Sequence, residues 1–174
     1  MSRRSKNDAL EQTVMVIDDQ TIQFLEKDGL SIESAEIPKE PLNIELPPSR
    51  FQFIAVLGSG GMGVVIRVHD ILLHREIAMK VLHSHLQFSQ ERERFISEAQ
   101  IEAQLQHPSI VSVHETGTLP SGHTYFTMRE IKGTSFQDLL TERKAPHENR
   151  MELLQHLQRA SEALGYAHAR GVIH

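Results

Sequence analysis

The sequence predicts an α+β fold, a five-stranded antiparallel sheet interrupted by one helix and followed by two further helices. Three observations carry this. Short segments of alternating apolar residues flank a glycine cluster, strong helix formers separate the third strand from the fourth, and two later segments are apolar at helical spacing. Phe51, Phe53, Ala55 and Leu57 alternate with Gln52, Ile54 and Val56, giving a strand that runs into the glycines. Val64 to Val68 is the second strand. Glu76 to Leu82 is the third, with Ala78, Lys80 and Leu82 on one face and Ile77, Met79 and Val81 on the other. Gln90 to Gln106 is rich in Glu, Gln, Arg, Ala and Leu and stops before His107-Pro108, so it reads as a helix with Phe95, Glu98, Ile101 and Leu105 on one face. Ile110 to Val113 and Thr124 to Met128 read as the remaining strands, joined by a turn containing Pro120, Ser121 and Gly122. Thr134 or Ser135 then caps a short helix ending near Glu142. A longer helix runs from about Asn149 to Ala169, with Leu153, Leu157, Ala160, Leu164 and Ala167 on one face and Gly171 as its stop.

With 174 residues and 39% hydrophobic content, the chain is long enough for one domain with a mainly aliphatic core. Cysteine is absent, which removes disulfides and thiolate metal sites and fits a reducing compartment. The basic start, Met1 to Lys6, leads into Asn7, Asp8 and Glu11 without an apolar stretch, so no secretory signal is expected, and no run approaches a membrane span. A net charge of -5 offers no footprint for nucleic acid. Residues 1 to 50 hold ten acids against six Lys and Arg and end in a proline-rich run from Pro38 to Pro48. Residues 1–49 are therefore expected to be a largely disordered acidic extension and linker, with short ordered pieces at most at Thr13 to Ile17 and Thr21 to Leu25. The domain is expected to start near Arg50 and occupy residues 50–174.

The chemistry lies in Gly58-Ser59-Gly60-Gly61-Met62-Gly63 and in Lys80, seventeen positions after Gly63. Glycines let the main chain approach an anion and aim its N–H groups inward, and a lysine supplies the point charge that such dipoles lack. The pairing points to a nucleoside triphosphate. Because the glycines join strand to strand, a dinucleotide-binding oxidoreductase is disfavoured, since that motif must open a helix. The P-loop pattern also fails, for no Gly-Lys-Ser/Thr follows. Lys80 sits in an apolar strand face and needs an anionic partner, because an isolated buried ammonium would lose its proton. Glu98, in the apolar stripe of the helix, is the candidate partner, and Glu102 is its rival. A metal site built on His83 and His85 is disfavoured, because no third ligand has helical spacing to them.

In this order and spacing the residues resemble the amino-terminal lobe of a protein kinase, specifically the bacterial eukaryotic-like serine/threonine kinases. The Gly-x-Gly-x-x-Gly-x-Val signature is Gly58 to Val65, the strand lysine motif is Ile77-Ala78-Met79-Lys80, and the helix glutamate is Glu98. The resemblance covers residues 51 to 174, with the amino-terminal lobe at about 50–128, the hinge at about 129–133 and part of the carboxy-terminal lobe at about 134–174. It implies that ATP is bound with Mg2+, that the glycine segment from Gly58 through Ser59, Gly60, Gly61, Met62 and Gly63 covers the phosphates, and that Lys80 contacts the alpha and beta phosphates while paired with Glu98. It also implies that Leu57, Val65 and Ala78 enclose the adenine, that Met128 is the gatekeeper, and that the main chain of Arg129 and Ile131 binds the adenine edge.

The same resemblance implies protein substrates phosphorylated on Ser or Thr, a cytoplasmic kinase domain, and any membrane tether further along the polypeptide. Gly171-Val172-Ile173-His174 resembles the approach to a catalytic loop His-Arg-Asp, and the sequence stops at the histidine. The catalytic Asp, the magnesium-binding Asn and the Asp-Phe-Gly ligand are not among its residues. An apolar helix face left wet would forfeit roughly 10 kcal/mol, comparable to the net stability of a domain. The chain is therefore expected to be an inactive fragment of a longer kinase. The alternative is a non-catalytic nucleotide-binding or pseudokinase-like regulatory module.

Overall fold

The computed structural model describes residues 14–17, 42–145 and 147–173 of the chain. These form, in order, β1 (Val14–Ile17), β2 (Leu42–Glu45), β3 (Phe51–Ser59), β4 (Gly63–Asp70), β5 (Arg75–Leu82), α1 (Gln90–Gln104), β6 (Val113–Thr118), β7 (Thr124–Met128), α2 (Phe136–Thr141) and α3 (Arg150–His168). A single 3-10 turn at Ser84–Leu86 links β5 to α1. The expected ordered piece at Thr21 to Leu25, most of the acidic extension and His174 lie outside the described residues. Among the described residues no helix is long and apolar enough to cross a membrane.

Strands β3 to β7 make one antiparallel sheet in the order β3-β4-β5-β7-β6. Directly opposed residues of an antiparallel pair project to the same face. Two rows therefore cross three strands, Val65, Lys80 and Phe126 in one and Arg67, Ala78 and Met128 in the next. The other face carries Ile66, Val68, Ile77, Met79 and Val81, all at most 2% exposed. Period-2 alternation in β4 and β5 thus separates a dry face from one that holds the charged residues.

Four expectations for the leading segment, the sheet and α1 need correction. Residues 42–49 were expected to be linker, but Leu42–Glu45 pairs with Val14–Ile17, and Ile44 and Leu46 are buried in the same dry core as Phe51 and Val68. The packed body therefore begins before Arg50. The strand expected at Ile110 to Val113 lies instead at Val113–Thr118, because the stretch after Pro108 turns, with the Ile110 N–H donating to the His107 carbonyl at 3.0 Å. As the sheet edge, β6 buries one side only and alternates polar residues with half-buried ones, so it lacks an apolar signature. Simple alternation also fails in β3, where the register shifts twice; Phe51 and Val56 enter the dry core while Leu57 turns to the opposite face. Lastly, α1 buries Phe95 and Ala99, whereas Ile101, expected on the inner face, is 42% exposed.

The helix is held in place by polar ties from the segment before it. Gln87 donates to the Leu82 carbonyl at 2.8 Å and accepts the Thr124 N–H at 3.0 Å, and Arg92 donates to the Thr124 hydroxyl at 3.0 Å. These bonds join β5, α1 and β7, which fixes how far α1 stands from the sheet. Beyond β7, Ser135 caps α2 by accepting the Asp138 N–H. Helix α3 ends at Gly171 (φ 76°), whose N–H reaches the His168 carbonyl while Val172 reaches that of Ala167, the paired bonds that close a helix through a left-handed residue. Of the face expected on α3, Leu153 and Ala167 are buried, whereas Leu157 and Leu164 are exposed.

Candidate functional site

Position 80 lies in the middle of the sheet, so its side chain leaves β5 on the face covered by α1. Its Nζ donates to Glu98 Oε1 at 2.9 Å, and it lies 5.6 and 5.5 Å from the ring centroids of Phe95 and Phe126. Two aromatic faces and one carboxylate thus supply the partners that an ammonium needs when partly withdrawn from water. The Lys80 side chain is 21% exposed and that of Glu98 38%, so Glu98 sits at the wet margin of the helix stripe. An ion pair this exposed adds little stability, and its value lies in fixing where the amine points. Glu102, the expected rival, stands one turn further along. Burial, then the Glu98 charge, push its carboxyl above the usual carboxylate range, with Lys80 pulling the other way.

The glycine segment forms the hairpin between β3 and β4, closed by the Gly60 N–H donating to the Gly63 carbonyl at 2.9 Å. Gly63 is required by space: a Cβ there would lie 2.2 Å from the Val81 carbonyl oxygen. At Gly58, Gly60 and Gly61 a Cβ would meet nothing within 4 Å, so bare main chain fronts open space. The Met62 side chain packs inward against the cluster of Leu82, Phe95, Ala99 and Phe126, while its main chain stays in the hairpin. His83 meets the hairpin from β5, its main-chain N–H donating to the Met62 carbonyl at 3.0 Å and its Nε2 lying 2.9 Å from the Gly60 carbonyl.

A cleft of about 470 Å³ opens beside the second row of the sheet face. Six of the expected residues line it, namely Leu57, Val65, Ala78, Met128, Arg129 and Ile131. The glycines after Leu57, Lys80 and Glu98 do not line it; they adjoin it, since Val65 of the cleft stands directly opposite Lys80. Sequence reasoning missed Arg67 and Glu130, which also line the cleft and face each other through two hydrogen bonds, Nε to Oε2 at 2.8 Å and Nη2 to Oε1 at 2.6 Å. The hydrogen bond from Arg67 foremost holds the Glu130 carboxyl below the usual carboxylate range. Arg67 was within reach of the alternation argument, because it shares the parity of Val65 in β4. Glu130 was not, since pairing across 63 positions depends on tertiary register. Among the described residues no group of His, Asp and Glu could hold a metal ion, and His83 and His85 stack on each other instead.

An apolar cleft, a glycine hairpin over open space and a sheet lysine paired with a helix carboxylate thus adjoin one another. Residues 51–174 match the family model described as protein kinase domain. The DNA damage-responsive serine/threonine-protein kinase RqkA of Deinococcus radiodurans is 37% identical over 126 residues, covering 72% of this chain and 19% of that protein. Serine/threonine-protein kinase PknB of Mycobacterium tuberculosis is 35% identical over 130 residues, covering 72% of this chain and 20% of that protein. The crystal structure of the Mycobacterium tuberculosis PknI kinase domain superposes with a TM-score of 0.56 at 30% identity, covering 71% of this chain and 50% of that one. The chain thus spans about a fifth of the length of these curated relatives. By the match over residues 51–174, and with bacterial serine/threonine-protein kinases as relatives, this chain belongs to the protein kinase family.

Proposed function

We propose that the chain is the ATP-binding portion of a protein kinase that transfers the γ-phosphate to Ser or Thr hydroxyls of proteins. The observation that carries this reading is the 2.9 Å pair between Lys80 and Glu98, beneath a hairpin of bare main chain and beside the apolar cleft. In this reading Leu57, Val65, Ala78 and Met128 enclose the adenine and exclude water from it. Arg129 commits its N–H to the Ser112 carbonyl at 2.9 Å, so its carbonyl is the main-chain group it offers to the adenine edge. Ile131 offers its main chain two positions later. Lys80 holds the α and β phosphates as a fixed point charge, and Glu98 keeps it aimed. The amides of the Gly58 to Gly63 hairpin approach the phosphates where no side chain intervenes.

Magnesium, when bound with the nucleotide, neutralises phosphate charge. The described residues supply no cluster to ligate it, so they bind and orient nucleotide and do not by themselves assemble the transfer site. The 174 residues contain no His-Arg-Asp and no Asp-Phe-Gly sequence. In this reading the 174 residues alone bind ATP weakly and transfer no phosphate. The test is Lys80→Met in a kinase polypeptide that includes these residues together with a catalytic loop. Phosphate transfer to protein is expected to vanish while the thermal midpoint holds, because Met is close to Lys in volume. Unchanged transfer would reject the role given to Lys80, and a wild-type polypeptide that binds nucleotide without transfer would favour the regulatory module instead.

A further inference from the structure

His83 stands just past β5, is 9% exposed, and takes hold of the glycine hairpin twice. Its main-chain N–H extends the β4–β5 ladder by one bond to the Met62 carbonyl, at 3.0 Å. Its ring Nε2 reaches the Gly60 carbonyl at 2.9 Å. A carbonyl only accepts, so the ring nitrogen facing it carries the proton. The ring is backed by His85, stacked at 5.7 Å with planes 14° apart, which limits its rotation.

We propose that His83 is a positioning residue for the hairpin, fixing through Gly60 the direction in which the Gly61 amide faces a nucleotide phosphate. The carbonyl of Gly60 and the N–H of Gly61 belong to one planar trans peptide and point opposite ways. Pinning the carbonyl toward His83 therefore turns that N–H away from the ring. A Cβ at Gly60 or Gly61 would meet nothing within 4 Å, so packing on that side is sparse. The hydrogen bond from His83 is the side-chain tie that holds the Gly60 carbonyl. The inference rests on the reading of the hairpin as a phosphate cradle, and it adds the residue that holds the cradle in shape before nucleotide arrives.

The experiment compares the 174-residue chain with His83→Ala, His83→Gln and, as a control, Lys80→Met. Gln places an amide N–H within similar reach and serves as the conservative rescue. Amide exchange at Gly60, whose N–H closes the hairpin, is expected to speed up about five-fold in His83→Ala, the effect of one lost hydrogen bond, and to return in His83→Gln. Affinity for ATP should fall by a similar factor in the Ala variant only, while affinity for adenosine, which has no phosphates, stays the same. Unchanged Gly60 exchange in His83→Ala, a Gln variant no better than Ala, or equal losses for ATP and adenosine would each overturn the proposal. If Lys80→Met leaves ATP binding intact, the nucleotide reading fails separately. If the chain binds neither ligand measurably, the exchange comparison alone decides, with reversible acceleration upholding the role and unchanged exchange ending it.

Discussion

The two faces of the five-stranded sheet are built from alternate residues of the same strands, yet they do different work. The outer face is dry and sealed, with Ile44 and Leu46 packed over it from the segment that precedes the family match at residue 51. The cleft face keeps Lys80 paired with Glu98, Arg67 paired with Glu130, and an open cleft that Arg67 and Glu130 line together with Leu57, Met128 and Ile131. Period-2 geometry lets one strand satisfy both demands, because a change on one side leaves the other side's surface intact. Substitutions on the outer face should therefore move stability more than those on the cleft face, and leave ligand affinity unchanged.

The largest effect on stability belongs to the outer face. Ile44→Ala removes a fully buried side chain and should cost about 3 kcal/mol in denaturant unfolding, with the ratio of ATP to adenosine affinity unchanged. An unchanged midpoint would mean that this segment merely rests on the lobe. Next comes Gly63→Ala, at the point where hairpin and sheet meet. The added Cβ runs into the Val81 carbonyl, so a loss of about 2 kcal/mol is expected together with weaker ATP binding, which makes it the one substitution that crosses the divide.

On the cleft face the effects are smaller. Arg67→Ala should cost about 1 kcal/mol at neutral pH. Its pH dependence has a defined sign. The Glu130 carboxyl is held below its ordinary value, so its contribution is present above the unfolded pKa of about 4.3 and is lost as pH falls through the lower folded value. Urea titrations between pH 7 and pH 3 should show the wild type losing its advantage over Arg67→Ala toward the acid end. A constant difference would mean that the pair contributes through packing alone. The smallest change is a gain. Burial and the Glu98 charge disfavour ionised Glu102, so Glu102→Gln should raise stability near pH 7 by about 0.5 kcal/mol, an advantage that fades as acid protonates the wild-type carboxyl.

What was legible in the sequence follows the same division. Alternation in β5 placed Ala78 and Lys80 on one face correctly, because that strand lies inside the sheet and obeys a strict period. The helix carboxylate could be named because α1 carries Glu98 one turn after Phe95 and Phe95 is buried. Edge strand β6 was misplaced, since Val-His-Glu-Thr-Gly-Thr buries only one side and shows no apolar run. Ile44 and Leu46 were read as linker because prolines stand on both sides of them, and proline argues against central strands and helices but says nothing about a short strand laid over a finished core. Glu130 and His83 were out of reach for one shared reason: each acts through a contact 63 or 23 positions away, set by strand register and hairpin shape rather than by local spacing.

The central claim is that Lys80 meets the phosphates, and its most direct test marks the amine itself. An ATP derivative carrying an acyl group on its terminal phosphate transfers that group to the amine held nearest the phosphates, and peptide mass spectrometry then locates the label. The account predicts acylation of Lys80 that excess ATP suppresses and that Glu98→Gln reduces. Labelling that falls on Lys132 at the cleft mouth, or that ATP fails to suppress, would contradict it.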